Sequence, residues 1–378
     1  MRRTIEVGFL FSTDGTYRRM GQHGLAGALH AMAEVNACTD YDFTLKATHV
    51  NPQGHLHRYQ QEAVAMMAGG IRHLFGTTTS ASRKEIIPDL EQHNSLLWYS
   101  APYEGFESSE NVLYLGGCPN QTLIPLLRYA LKAFGSRAVL IGSNYIWGWE
   151  SSRIARDVLQ AANGEVLADK YIHLGATQFA DLIRLLLKER PSFILNNLVG
   201  ESSYAFLHQL EAACASTGIS LPILSCNLTE AELGELGELR HLRLLSCGPF
   251  FEGVNTAFTS LQRQLHAQQP CSHYYTGTYV AVQLFAQALH QAGSEAPAAI
   301  TGYLHEHALE SVLGRLRISQ RNNHSSLPCH IAELRQGRFN VVHSEPYPLA
   351  ADPYLTATDL QALHRPCTPP ASHLRIVK

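Results

Sequence analysis

The chain has 378 residues, 45% of them hydrophobic, and a formal net charge of −3. That length exceeds one ordinary domain and suits two α/β units, each able to bury a core of its own. Its 29 Lys and Arg and 32 Asp and Glu are scattered, so the basic footprint of a direct nucleic-acid binder is missing, and no apolar run nears the roughly 18 residues of a membrane span.

In chain order, residues 5–11 read as a first strand. Arg2 and Arg3 mimic the charged start of a secretory leader, but Glu6 breaks the apolar run and Ser12-Thr13-Asp14-Gly15 follows at once, so a cytoplasmic location is the expectation. A helix over 21–35 and a strand over 43–50 come next. The pattern then repeats: strand 73–76, polar turn 77–80, helix 81–92 and strand 95–99. After a boundary near Pro119 and Asn120 it starts again with strand 138–143, helix 150–162 and strand 165–171. Strands alternating with helices predict parallel sheets of right-handed βαβ units, in two similar halves. The 8 cysteines, Cys367 among them, show no C-x-x-C pair and read as free thiols of a reducing compartment.

In open α/β sheets ligands bind beyond the carboxyl ends of the strands. The loops at those positions are rich in hydroxyl, amide and aromatic side chains: Ser12-Thr13-Asp14, Thr77-Thr78-Thr79-Ser80, Tyr99-Ser100-Ala101-Pro102-Tyr103, Asn144-Tyr145-Ile146-Trp147, Gly200-Glu201-Ser202 and Asn227-Leu228-Thr229. Together they predict a polar, aromatic-walled cleft between the halves. Ser80 sits where the N-cap of helix 81–92 belongs, an end that suits an amide oxygen or a carboxylate. Tyr99, Tyr103, Tyr145 and Trp147 could wall a small flat ligand. Glu201 and Asp14 are the acids placed to meet a cationic ligand, and Glu104 would fix its loop.

Catalytic patterns are weak. Gly200-Glu201-Ser202-Ser203-Tyr204 lacks the last glycine of a nucleophile elbow. The pairs His55/His57, His305/His307 and Cys329/His330 have no zinc-site spacing. No enzyme activity, metal or cofactor is expected.

The strings Phe75-Gly76-Thr77-Thr78-Thr79-Ser80, Tyr99-Ser100-Ala101-Pro102-Tyr103-Glu104-Gly105-Phe106-Glu107, Ile141-Gly142-Ser143-Asn144-Tyr145-Ile146, Arg321-Asn322-Asn323-His324-Ser325 and Asp352-Pro353-Tyr354 resemble AmiC-like amide receptors, which regulate aliphatic amidase operons and are related to urea-binding proteins of ABC transporters. The resemblance runs from about Gly8 to Tyr354. It implies a type I periplasmic-binding fold with discontinuous lobes, residues 1–119 plus about 250–325 and residues 120–249 plus about 326–378. It implies that Ser80, Thr78, Thr79, Tyr99, Ala101, Pro102, Tyr103, Tyr145, Trp147, Gly200, Glu201 and Asn227 surround the ligand, a short amide such as acetamide, or urea. It also implies a homo-oligomeric negative regulator that holds an AmiR-like antiterminator protein and releases it when the amide binds. Thr78, Ala101 and Trp147 depart from the tyrosine, threonine and tyrosine of the family pattern, which opens the choice of ligand. The rival expectation is the solute-binding component of an ABC transporter for urea or short amides.

Overall fold

The computed structural model describes residues 2–360; Cys367 and the end of the second expected lobe lie outside them. The chain first lays down β1 (Arg3–Leu10), α1 (Arg18–Ala37), β2 (Phe43–Val50), α2 (Leu56–Ala68), β3 (His73–Gly76), α3 (Ser80–Gln92), β4 (Leu96–Tyr99) and β5 (Val112–Tyr114). These strands form a parallel five-stranded sheet in the order β2-β1-β3-β4-β5. Next come α4 (Leu123–Ala133), β6 (Arg137–Ser143), α5 (Ile146–Ala161), β7 (Glu165–Ile172), α6 (Ala180–Glu189), β8 (Phe193–Asn197), α7 (Glu201–Thr217), β9 (Leu221–Ser225), α8 (Leu233–Leu236) and β10 (Leu242–Gly248). The chain then runs through α9 (Thr256–Leu265), α10 (His273–Ala292), α11 (Pro297–Glu306) and the ribbon β11 (Leu309–Ser311) and β12 (Gly314–Leu316), and closes with β13 (His330–Arg335) and β14 (Arg338–Ser344). The second sheet is seven-stranded, ordered β14-β13-β10-β9-β8-β6-β7, with β13 and β14 antiparallel to their neighbours.

Central strands β3, β4 and β8 are buried along their whole length, as parallel strands covered on both faces must be. Their sequences are accordingly apolar rather than alternating. Helix α10 returns to the first sheet and shares its core, Tyr275, Val280 and Phe285 packing with Phe9, Phe75 and Trp98. It lies so close to α1 that a Cβ on Gly27 would stand 2.1 Å from the Tyr275 carbonyl oxygen. The first sheet therefore takes its cover from segments far apart in sequence, whereas β6–β10, β13 and β14 make the second sheet and its separate core. Most predicted bounds match within a few residues. The exception is α5, which starts at Ile146, so Trp147 sits in a first helical turn and not in a loop.

Candidate functional site

The carboxyl ends of the two sheets face each other across a small cavity of about 20 Å³, lined by Tyr17, Met20, Thr78, Thr79, Ser80, Ala101, Pro102, Tyr145, Trp147, Val199, Asn227 and Tyr274. One water needs roughly 10–15 Å³ on this measure, so the space is that of one or two waters and suits a molecule of only a few heavy atoms. The lobes lie closed on it. Tyr17 from the first lobe and Tyr145 from the second both line the cavity, and burial pushes the Tyr17 hydroxyl up to about 12. Tyr274 Oη donates to the Asn227 carbonyl oxygen at 3.1 Å. Outside the cavity, Arg18 reaches Glu201 at 2.7 Å and Glu235 at 3.1 Å, while Arg19 reaches Glu235 at 2.6 Å.

The wall at α3 is built from the turn upward. Thr79 has extended backbone and its Oγ1 accepts from Ser82 N at 3.1 Å, so Thr79, not Ser80, is the N-cap. The shift of one residue matters: capping is satisfied by the neighbour, and the Ser80 hydroxyl is free to donate to the buried Glu104 carboxylate instead. Glu104 in turn faces Arg83 at 3.5 Å, and Arg83 donates to Glu107 at 2.6 and 3.2 Å. Burial pushes the Glu107 carboxyl up, but the Arg83 and Lys84 charges reverse this and hold it near 2. The guanidinium carbon lies 4.6 and 4.5 Å from the ring centroids of Tyr99 and Tyr103, a cation–π sandwich that suits a fully buried arginine.

That packing moves some expected residues out of the lining. Tyr99 and Tyr103 stand behind the wall as the faces of the Arg83 slot, and Tyr103 Oη meets His324 Nε2 and the Glu107 carbonyl oxygen. Glu201 is drawn out of the cleft by Arg18 and is 54% exposed. Gly200 is the N-cap of α7 and faces Thr16, whose carbonyl oxygen would lie 2.2 Å from an added Cβ; it is a close contact between the lobes and does not line the cavity. Asp14 accepts from Asn51 Nδ2 at 2.7 Å. Thr78, Thr79, Ser80, Ala101, Pro102, Tyr145, Trp147 and Asn227 do come together at the cavity. Asn227 has its amide occupied, Nδ2 donating to the Leu198 carbonyl oxygen at 3.0 Å and Oδ1 accepting from Ser225 Oγ at 2.8 Å. Trp147 is buried with no acceptor for its Nε1–H.

Tyr17, Met20, Val199 and Tyr274 line the cavity without having been expected there. Tyr17 and Val199 follow β1 and β8 and were open to the same strand-end argument. Met20 and Tyr274 belong to the first turns of α1 and α10, outside the strand-end loops.

Among the described residues no group of His, Cys, Asp and Glu could hold a metal ion, and no helix is long and apolar enough to cross a membrane. Cys38, Cys118, Cys214, Cys226, Cys247, Cys271 and Cys329 are unpaired thiols, with Cys247 Sγ and Cys329 Sγ 3.6 Å apart.

Two covered sheets meeting at their carboxyl ends over a closed polar cavity define a bilobal ligand-binding protein. The sequence profile of the periplasmic binding protein domain matches residues 5–360, and the chain belongs to that family. Solved structures agree on the fold. A solute-binding protein of an ABC transporter from R. palustris, in complex with benzoate, superposes with a TM-score of 0.82 at 16% identity, over 92% of this chain and 98% of that one. A second from Rhodopseudomonas palustris BisB5, with 3,4-dihydroxybenzoic acid, gives 0.81 at 14% identity, covering 93% and 99%. The branched-chain amino acid binding protein LivJ from Streptococcus pneumoniae, with isoleucine, gives 0.77 at 16% identity, covering 91% and 99%. Family and structural neighbours alike are binding proteins.

Proposed function

We propose that this chain closes around a small neutral molecule carrying both N–H and C=O groups, with acetamide and urea as the chemical type, and releases it unchanged. The observation that carries this is the cavity itself: about 20 Å³, walled by the hydroxyls before and at the start of α3 and by Trp147, whose buried indole N–H has no acceptor among the described residues. The first N–H groups of α3 add donors that the helix cannot satisfy internally. A benzoate-sized ligand would need the lobes to reopen.

Two readings of the step after binding have support. Solute-binding components of ABC transporters are the structural neighbours, which favours delivery of the amide or urea to a permease. The loop strings shared with amide receptors, together with unpaired thiols suited to a reducing compartment, favour a cytoplasmic, homo-oligomeric sensor that holds an AmiR-like antiterminator and so controls an amidase operon.

Calorimetry and thermal shift with acetamide, propionamide, urea, benzoate and isoleucine test the ligand class. A ligand at 100 times its Kd stabilises the folded state by about 2.7 kcal/mol, so acetamide or urea should raise the melting temperature by several degrees. A response to benzoate with none to amides or urea would refute the proposal, as would ammonia released in proportion to protein. Mixing the chain with an AmiR-like antiterminator from the same genome separates the two readings, because only the sensor forms a complex that acetamide dissolves.

A further inference from the structure

A helix N-terminus carries partial positive charge and unpaired N–H groups, so it ordinarily suits a carboxylate as well as a carbonyl oxygen. At α3 this choice is already made by the protein. The Ser80 hydroxyl donates its single proton to Glu104 Oε2, an oxygen of the carboxyl group that pairs with Arg83. What Ser80 then shows the cavity is lone pairs. The other Glu104 oxygen is turned to cations, 3.5 Å from Arg83 Nη2 and 3.8 Å from Lys84 Nζ. The carboxylate is buried, one hydroxyl away from the cavity. Trp147 also lines the cavity and its buried Nε1–H has no acceptor among the described residues, while Ser80 leaves an acceptor for a ligand N–H.

The geometry points to Glu104 as a positioning residue that sets the ligand class: acting through Ser80, it turns a helix end that would welcome carboxylates into one that accepts an N–H and rejects carboxylates of equal size. This rests on the cavity being the ligand site, and goes further by naming what the site refuses. It also sets this chain apart from neighbours solved with benzoate, 3,4-dihydroxybenzoic acid and isoleucine, each of which bears a carboxyl group.

Acetamide and acetate share shape and heavy-atom count but differ in charge and N–H, so calorimetry with both, on wild type and Glu104→Gln, is the test. Wild type should prefer acetamide by at least about 100-fold, and the variant should gain acetate affinity by at least about tenfold as the buried negative charge is removed. A purely structural role would weaken both ligands alike and leave their ratio unchanged. Wild type binding acetate as tightly as acetamide, or a folded variant with no gain for acetate, overturns the assignment. Wild type without affinity for acetamide refutes the amide reading alone, since the acetate gain is scored by itself. If removing the charge beside Arg83 prevents folding, wild type is compared on N-methylacetamide and methyl acetate, which differ by one N–H replaced with an ester oxygen. The ester should bind at least about fivefold more weakly; equal binding overturns the assignment.

Discussion

Each side of the cleft buries a pair of glutamates, and the two pairs are treated in opposite ways. In the first lobe Glu104 and Glu107 are met by Arg83 and Lys84, and Glu107 is held near 2. In the turn after β9, Glu230 and Glu232 are buried but have no such partners among the described residues. Glu230 Oε1 accepts from Glu252 N at 3.0 Å and Glu232 Oε2 from Thr229 N at 2.8 Å; the second oxygen of each has no hydrogen-bond partner, as is true of Glu104 Oε1, but unlike that atom it has no ion pair among the described residues. Burial pushes both carboxyls up to about 8. Arg19, which pulls Glu232 the other way, is committed to Glu235. A buried acid beside a cation supplies a fixed charge to a binding site, whereas one without a cation is a proton-bearing structural group.

The sharpest way to break this contrast is to remove the cation. Arg83→Met leaves Glu104 and Glu107 buried without their main partner and empties the slot between Tyr99 and Tyr103. Breaking a buried pair from one side costs about 3–5 kcal/mol. Guanidinium chloride denaturation should show that loss, together with weaker acetamide binding as Ser80 loses its anchor. An unchanged midpoint would mean the cluster is not what supports the α3 wall.

The second pair makes a pH prediction of opposite sense. Glu230 and Glu232 have folded values near 8 against an ordinary 4.5, so between those limits the folded protein holds protons that the unfolded chain has lost. Stability is then fully present below about pH 4.5 on their account and declines as pH rises toward 8. Glu232→Gln should flatten that decline and raise the melting temperature at pH 9 by more than about 3 °C over wild type. A variant that tracks wild type at every pH would show that Glu232 is ionised in the fold.

Smaller effects arise inside the cavity, where Ala101 lines the wall beneath the ligand space. Ala101→Thr adds a methyl and a hydroxyl to a closed site, and overfilling costs about 1–3 kcal/mol. Propionamide and butyramide should lose more affinity than acetamide, by roughly tenfold. Calorimetry along that series decides it, and equal losses throughout would show that Trp147 alone sets ligand size.

Strand periodicity and turn residues made the two sheets legible, because the central strands β3, β4 and β8 are short buried runs that end in polar loops. The same logic located Ser80, Ala101, Pro102, Tyr145 and Asn227, which come just after strand ends. It failed where a side chain's direction depends on a distant partner. Nothing local tells that Tyr99 and Tyr103 turn inward to Arg83, that Arg18 draws Glu201 outward, or that α10 brings Tyr274 to the cavity from a remote segment. Glu104 is expected from sequence to fix its loop, and its hydrogen bond with Ser80 Oγ is visible only in the structure.

The least of the expected effects concerns closure rather than either carboxylate pair. Arg18 and Arg19 on α1 converge on Glu235 of α8 at 3.1 and 2.6 Å, joining the lobes outside the cavity. The side chains are 23–40% exposed, and exposed pairs contribute about 0.2–1 kcal/mol. Ligand affinity scales with the fraction of protein that is closed, so Glu235→Gln should weaken binding by up to about fivefold. The Arg19 hydrogen bond holds the Glu235 carboxyl below its ordinary value, so the contribution is complete at neutral pH and fades only as pH falls through that depressed value. High salt should shrink the difference between variant and wild type. Because Glu235 does not touch the cavity, the loss should be the same factor for acetamide, propionamide and urea, unlike the graded loss from Ala101→Thr. A change in the order of ligand preference would show that closure and ligand selection are not separable in this protein.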